Sequence, residues 1–319
     1  MTRRLLFALL ALCLLPTLAL AARPSPKTAA RPAAKTTASS GPELLCPEAV
    51  GLGEPFLLRL RSQKPLAGLS VTWLARTAKL SGRAVPGGWE AAALLGTDVG
   101  NTATGRHELV LNLDSKSGGP HGRVLRQGIV VRPVKRPVES LTLAEDMVTP
   151  PASAYPRILA ERTLIQGLLA GTLSRPVPKG TDGRSWTLPL ARPVPGEVSS
   201  IYGIGRILNG QPHAPHRGLD LEAATGQGVL AAADGVVLFS GELYYAGNAV
   251  YLDHGQGLVS SYFHLSERQA VAGQKVARGQ QIGLAGATGR STRSHLHFGL
   301  WALGRNVDPE PLFLYGSLP

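Results

Sequence analysis

The chain has 319 residues, 44% of them hydrophobic and 17% charged, which is enough for two domains of ordinary size and excludes disorder throughout. Its 38 glycines and 25 prolines make up about a fifth of the sequence, pointing to a turn-rich, strand-rich protein and not to low complexity. Thirty-three Lys and Arg against 21 Asp and Glu leave a net charge of +12, which favours polyanionic surroundings without choosing among cell-wall polymer, anionic lipid and nucleic acid.

The chain opens with Arg3 and Arg4, an apolar run from Leu5 to Leu18 interrupted by Pro16, and then Ala19 and Ala21 at an A-x-A site. This is the pattern of a secretory signal peptide over residues 1–21. The run is shorter than the ~20 residues a span requires, so no stable membrane span is expected after cleavage. Loss of Arg3 and Arg4 leaves the exported chain at +10. Cys13 departs with the signal, and Cys46 alone supports neither an internal disulfide nor a cysteine-based metal site. With Leu44, Leu45 and Pro47 beside it, Cys46 has no activating base and reads as a small buried hydrophobe.

Residues 22–42 are rich in Ala, Pro, Lys and Thr without apolar period and read as a disordered basic tether. From 43 to 133, short apolar runs such as PFLLRLRS, LSVTWLAR and HELVLNL recur between turn residues, several with period two. They predict a β-rich, sandwich-like accessory domain. His107-Glu108 begins like a zincin helix motif but lacks the second His four residues on. His107 and His121 therefore read as ordinary strand and turn residues. Residues 134–184 form a linker with one helix at about 155–172, Pro156 in its first turn and Ile158, Leu159, Ile165, Leu168 and Leu169 on an apolar face. Its expected role is to pack between two domains.

The chemistry lies in the last block, 185–319. Six of the eight histidines (His213, His216, His254, His264, His295 and His297) fall between 213 and 297. If the segments are strands, period two puts His216, Gly218 and Asp220 on one face, with Gly218 leaving room between two ligands, and sets His295 beside His297. Two imidazoles and a carboxylate suit Zn²⁺, and three protein ligands leave the fourth tetrahedral position open, as in catalytic zinc sites. A nearby unligated histidine could take or orient a proton. On spacing alone, surface or core histidines remain an equal alternative.

Read in order, HRGLD, ADGVV, DHGQGL, YFHLS, GQKVARGQQIG, ATGRST and HLHF fall within Ser199–Phe313. Together they resemble the lysostaphin/LytM-type zinc metallopeptidases, secreted enzymes that cut peptide bonds in peptidoglycan. The resemblance implies one Zn²⁺ per chain held by His216, Asp220 and His297, with His264 and His295 as the two non-ligand catalytic histidines. It further implies a mainly β fold whose C-terminal domain is a compact antiparallel β structure with the site in a groove. The segment YGIGR, Tyr202 to Arg206, departs from the family's usual turn at the rim of the site.

The expected function is thus a secreted zinc endopeptidase acting on peptidoglycan stem or cross-link peptides, in the periplasm or cell envelope. The rival is a non-catalytic LytM-type wall-binding module that activates other hydrolases, for which missing ligands would be the sign. A nucleic-acid partner is not expected, because the chain has an export signal, few aromatics and no nucleic-acid motif. For the accessory domain, wall binding, docking of a regulatory envelope protein and partial occlusion of the groove are open. His254 reads as a turn residue and His213 as a loop residue, while Tyr262 shares a strand face with His264 if the period holds, where positioning substrate is the lesser of its readings.

Overall fold

The computed structural model describes residues 41–114, 122–178 and 181–314. The expected signal peptide with Cys13, nearly all of the expected basic tether, and His121 lie outside the described residues.

The first half is two β-sheets. One has four strands in the order Glu43–Leu45, Pro55–Ser62, Gly88–Gly96, Arg83–Val85. The other has five, in the order Ala49–Gly51, Arg123–Arg132, Gly105–Leu113, Leu69–Trp73, Arg76–Leu80. The alternation in LSVTW sends Leu69, Val71 and Trp73 inward, where they meet Leu109 and Leu111 from the same sheet and Phe56, Leu58 and Leu60 from the other. Trp73 Nε1 donates to Gly96 O at 2.7 Å, so the ring is buried without leaving its polar atom unpaired. Cys46 packs against this core half-buried, and burial raises its thiol pKa. His107 lies on a strand, Nε2 donating to Ala103 O at 2.7 Å.

The runs FLLRL and AAALL do not alternate with polar residues, and the structure shows why. Ala91, Ala93 and Leu95 point into the sandwich, while Leu57, Ala92 and Leu94 point the other way into the main core of the C-terminal half. The sheet is buried on both faces, which calls for continuous apolar runs. The described residues all belong to one compact unit. Tyr202 Oη donates to Asn306 O at 2.8 Å and receives Val99 N–H at 3.4 Å, tying the two halves together again.

The helix runs Tyr155–Leu173. Leu173 packs on the sandwich core, whereas Ile165 and Leu169 pack on a small cluster around Leu243, Ala249 and Tyr251, so the helix bridges both halves. Its apolar face is narrower than expected, because Leu159 is 58% exposed. Polar clamps supply the rest: Arg157 Nε donates to Glu161 Oε1 at 2.7 Å, and Tyr244 N donates to Glu161 Oε2 at 2.7 Å.

The C-terminal half centres on an eight-stranded sheet. Its path runs Val198–Ser200, Leu219–Glu222, His295–Ala302, Val259–Leu265, Gly247–Asp253, Gly235–Leu243, Lys275–Val276, with Arg305–Val307 added beside His295–Ala302. Every pairing in it is antiparallel. Leu219, Leu221, Val250, Leu252, Tyr262, Leu296, Phe298 and Leu300 fill its inner face. A smaller sheet joins Val138–Leu141, Gly205–Leu208 and Gln211–His213. His213 is thus a strand residue, contrary to its expected loop. Among the described residues no helix is long and apolar enough to cross a membrane.

Candidate metal centre and active site

Three adjacent strands bring the central residues together. Asp220 pairs directly with His297 across the Leu219–Glu222 and His295–Ala302 strands, and His297 pairs with Phe263 on the next strand. The rings of Phe263 and His297 stack with centroids 5.0 Å apart and planes within 5°. His216 lies in the loop before its expected strand and still reaches the group. Its Nε2 is 3.0 Å from Asp220 Oδ1 and 2.9 Å from His297 Nδ1, and that Nδ1 is 2.8 Å from Asp220 Oδ1. A Cβ at Gly218 would come within 2.4 Å of His297 Nε2, so this position has to be glycine for the three to converge.

His295 shares the His297 face, as period two requires, and its Nε2 is 3.6 Å from Asp220 Oδ1. His264 comes in from the neighbouring strand, its ring centroid 4.8 Å from that of His295. Here period two fails. The pairing of Val259–Leu265 with Gly247–Asp253 shifts register between Asn248 and Val250, and His264 has φ of 62°. That left-handed residue lets Phe263 and His264 both face the site. Tyr262 consequently does not line the site, contrary to expectation. It is fully buried against Phe298, its hydroxyl receiving Ala232 N–H at 2.8 Å.

Backbone carbonyls set the proton positions. His216, His264 and His295 each place Nδ1 against a carbonyl oxygen, of Ile201 at 3.0 Å, Thr288 at 2.8 Å and Arg293 at 2.8 Å. A carbonyl only accepts, so each Nδ1 carries a hydrogen, and in the neutral ring it is Nε2 that keeps the lone pair. Burial lowers the His264 pKa to about 3, with His297 and His295 adding to the effect, and burial lowers His297 to about 4. Both rings are neutral at neutral pH. Burial alone would raise the Asp220 carboxyl, but His216 and His297 outweigh it and hold the carboxyl well below its usual range.

This arrangement fits a zinc ion by its donor chemistry. His216, Asp220 and His297 offer ligand atoms all within 4.8 Å of one another, and the remaining carboxylate oxygen, Asp220 Oδ2, is taken by Arg206 Nη2 at 3.1 Å. Arg206 is the site residue that spacing did not reveal. It belongs to the YGIGR segment, whose departure was expected to shape the rim. Instead Tyr202 is buried between the halves and Arg206 sits behind Asp220.

Residues 214–309 match the family described as Peptidase family M23. The match covers this segment and not the chain as a whole. Peptidoglycan DD-endopeptidase ShyA of Vibrio cholerae serotype O1 is 46% identical over 95 residues, covering 30% of this chain and 22% of that protein. Peptidoglycan DD-endopeptidase ShyC of the same organism is 39% identical over 119 residues, covering 37% and 27%. The chain spans about a quarter of the length of these curated relatives. A peptidase M23 crystal structure from Pseudomonas aeruginosa has a TM-score of 0.59 at 24% identity, covering 81% of this chain and 92% of that one, which shows a shared fold.

Beside this centre, bordered by the Phe263 that stacks on His297, lies a cavity of about 1000 Å³. Phe263, Arg217 and Tyr245 line it from the C-terminal half, Arg76 and Asn101 from the sandwich, and Ile165 from the helix. His254 stands apart, buried after its strand. Its Nδ1 donates to Asp234 O at 2.7 Å, and its Nε2 lies 2.7 Å from Ser260 Oγ.

Proposed function

We propose that the protein is an exported zinc metallo-endopeptidase that hydrolyses peptide bonds in peptidoglycan stem or cross-link peptides. The observation that carries this reading is the convergence of His216 Nε2, Asp220 Oδ1 and His297 Nδ1, flanked by the imidazoles of His264 and His295, each held by a carbonyl at Nδ1. A module kept only for binding would need neither the three donors nor the two imidazoles beside them. The named relatives support the substrate class, and the apolar run behind Arg3 and Arg4 supports export to the periplasm or envelope.

His216, Asp220 and His297 would hold the zinc, which supplies a Lewis acid to polarise the scissile carbonyl and to make water acidic. His264 enters neutral, and His264 and His295 each present Nε2 as the atom that would accept and later return a proton. The carbonyls of Thr288 and Arg293 fix both rings for that exchange. Phe263 links the centre to the cavity walled by the sandwich and the helix, since its ring stacks on His297 and lines that cavity.

Zinc content and release of muropeptides from purified peptidoglycan, measured together on the mature protein, His216→Ala and His295→Ala, test the reading. The expected result is one zinc per chain with cleavage, both lost in His216→Ala and cleavage alone lost in His295→Ala. Bound zinc with no muropeptide released would replace this reading with that of a masked centre or of a wall-binding, hydrolase-activating module.

A further inference from the structure

The strand Val138–Leu141 precedes the segment that matches the M23 family, yet it touches the machinery of the metal centre. It pairs in parallel with Gly205–Leu208, with Glu139 directly opposite Arg206. Glu139 Oε1 accepts from Arg206 Nε at 2.9 Å and from Ser200 Oγ at 3.0 Å. The other end of the same guanidinium donates to Asp220 Oδ2 at 3.1 Å. The Arg206 and Glu139 side chains are only 19% and 22% exposed, so water screens these contacts weakly.

Two physical consequences follow from this row of three charges. Arg206 occupies one carboxylate oxygen and so turns the other, Oδ1, toward His216 and His297. A lone guanidinium that close to a divalent cation would also repel it, and Glu139 offsets that charge while holding the fork in place. We propose that Glu139 is a positioning residue of the metal centre, acting through Arg206 on Asp220, so that the strand Val138–Leu141 is a working part of the site and not only a linker. The proposal rests on the zinc reading above.

The test uses the full mature chain and measures zinc dissociation constants by chelator competition for wild type, Glu139→Ala, Glu139→Gln, Arg206→Ala and the double variant Glu139→Ala/Arg206→Ala. Second-layer changes of this kind weaken metal binding by about 10- to 100-fold. Expected is a loss of about tenfold in Glu139→Ala, partly rescued in Glu139→Gln, which keeps an acceptor oxygen. With Arg206 already replaced, removing Glu139 should change affinity less than about twofold, since the relay is gone. Cobalt-loaded Glu139→Ala should show an altered visible absorption spectrum.

Wild-type affinity in Glu139→Ala overturns the proposal, and so does a loss of equal size in the Arg206→Ala background. A lowered melting temperature of the metal-free variant with an unchanged cobalt spectrum assigns Glu139 to fold stability alone and also overturns it. Failure of the wild type to bind zinc is a different result, because it removes the zinc reading itself and the proposal with it.

Discussion

Asp220 and His297 stand directly opposite each other on adjacent antiparallel strands, with Oδ1 and Nδ1 2.8 Å apart. Their separation is set by the spacing of the ladder, so the donor pair is as rigid as the sheet that carries it. Gly218, one residue before the strand, leaves the space that His297 occupies. Replacing it with alanine should displace the imidazole and weaken zinc binding by tenfold or more, read by chelator competition. Gly226→Ala is the control: its φ is 86° with nothing near the added methyl, so it should cost about 1 kcal/mol and leave zinc affinity unchanged.

Ligand and non-ligand histidines should separate cleanly. His264→Ala and His295→Ala should keep zinc and lose at least about 10²-fold in the rate of peptide release, since general acid–base groups contribute on that scale. Because bound imidazoles must be neutral, zinc occupancy should fall as the pH drops, and full occupancy at pH 4 would contradict the assignment.

Tyr262 should matter to stability and not to substrate. In Tyr262→Phe the buried Ala232 N–H loses its acceptor, which should cost about 1–3 kcal/mol in urea unfolding with zinc affinity and KM unchanged. A selective rise in KM would restore the substrate-positioning role.

The sandwich and the C-terminal half should unfold together. Leu57 and Leu94 leave the accessory sheet to join the larger core, and Leu94→Ala should destabilise by about 2–5 kcal/mol in a single transition seen by every probe. Two separated transitions would show independent halves. The shared core also means that a fragment beginning at 185 exposes an apolar face, so tests of occlusion belong on the intact chain.

Asp308 gives a pH signature away from the metal centre. Burial raises its carboxyl to about 6, while its Oδ1 accepts Glu310 N–H at 3.0 Å. A folded value above the unfolded ~3.9 means that the protonated form is favoured in the native state. Its contribution is full below pH ~3.9 and is lost as pH rises through about 6. Asp308→Asn keeps the cap and should stabilise the protein by about 1–2 kcal/mol at pH 7.5, with the gain vanishing near pH 4 in denaturant titrations.

The separate elements were largely legible in the chain. The turn-punctuated runs of the first half became two sheets around Val71, Trp73 and Leu109, and the helix came within a residue of its expected bounds, because period and turn chemistry act locally. The ordered motifs around His216, Asp220 and His295-Leu-His297 marked the candidate centre, since family motifs preserve residue types at fixed spacing. On the strand Val259–Leu265 local period failed. Tyr262 and His264 part company at a bulge and a left-handed residue, which no alternation rule registers.

What the sequence by itself determined was therefore the β class, the helix, and the donor set available for zinc. Tertiary structure alone decided that the accessory sheet is buried on both faces, that Phe263 stacks on His297, and that Glu139 and Arg206 stand behind Asp220. The reason is sequence distance: Glu139 lies 67 positions before Arg206, and Leu57 belongs to a core built mostly from residues beyond 185. Contacts of that range come from how sheets pair and pack, and nothing in the local pattern of either partner encodes them.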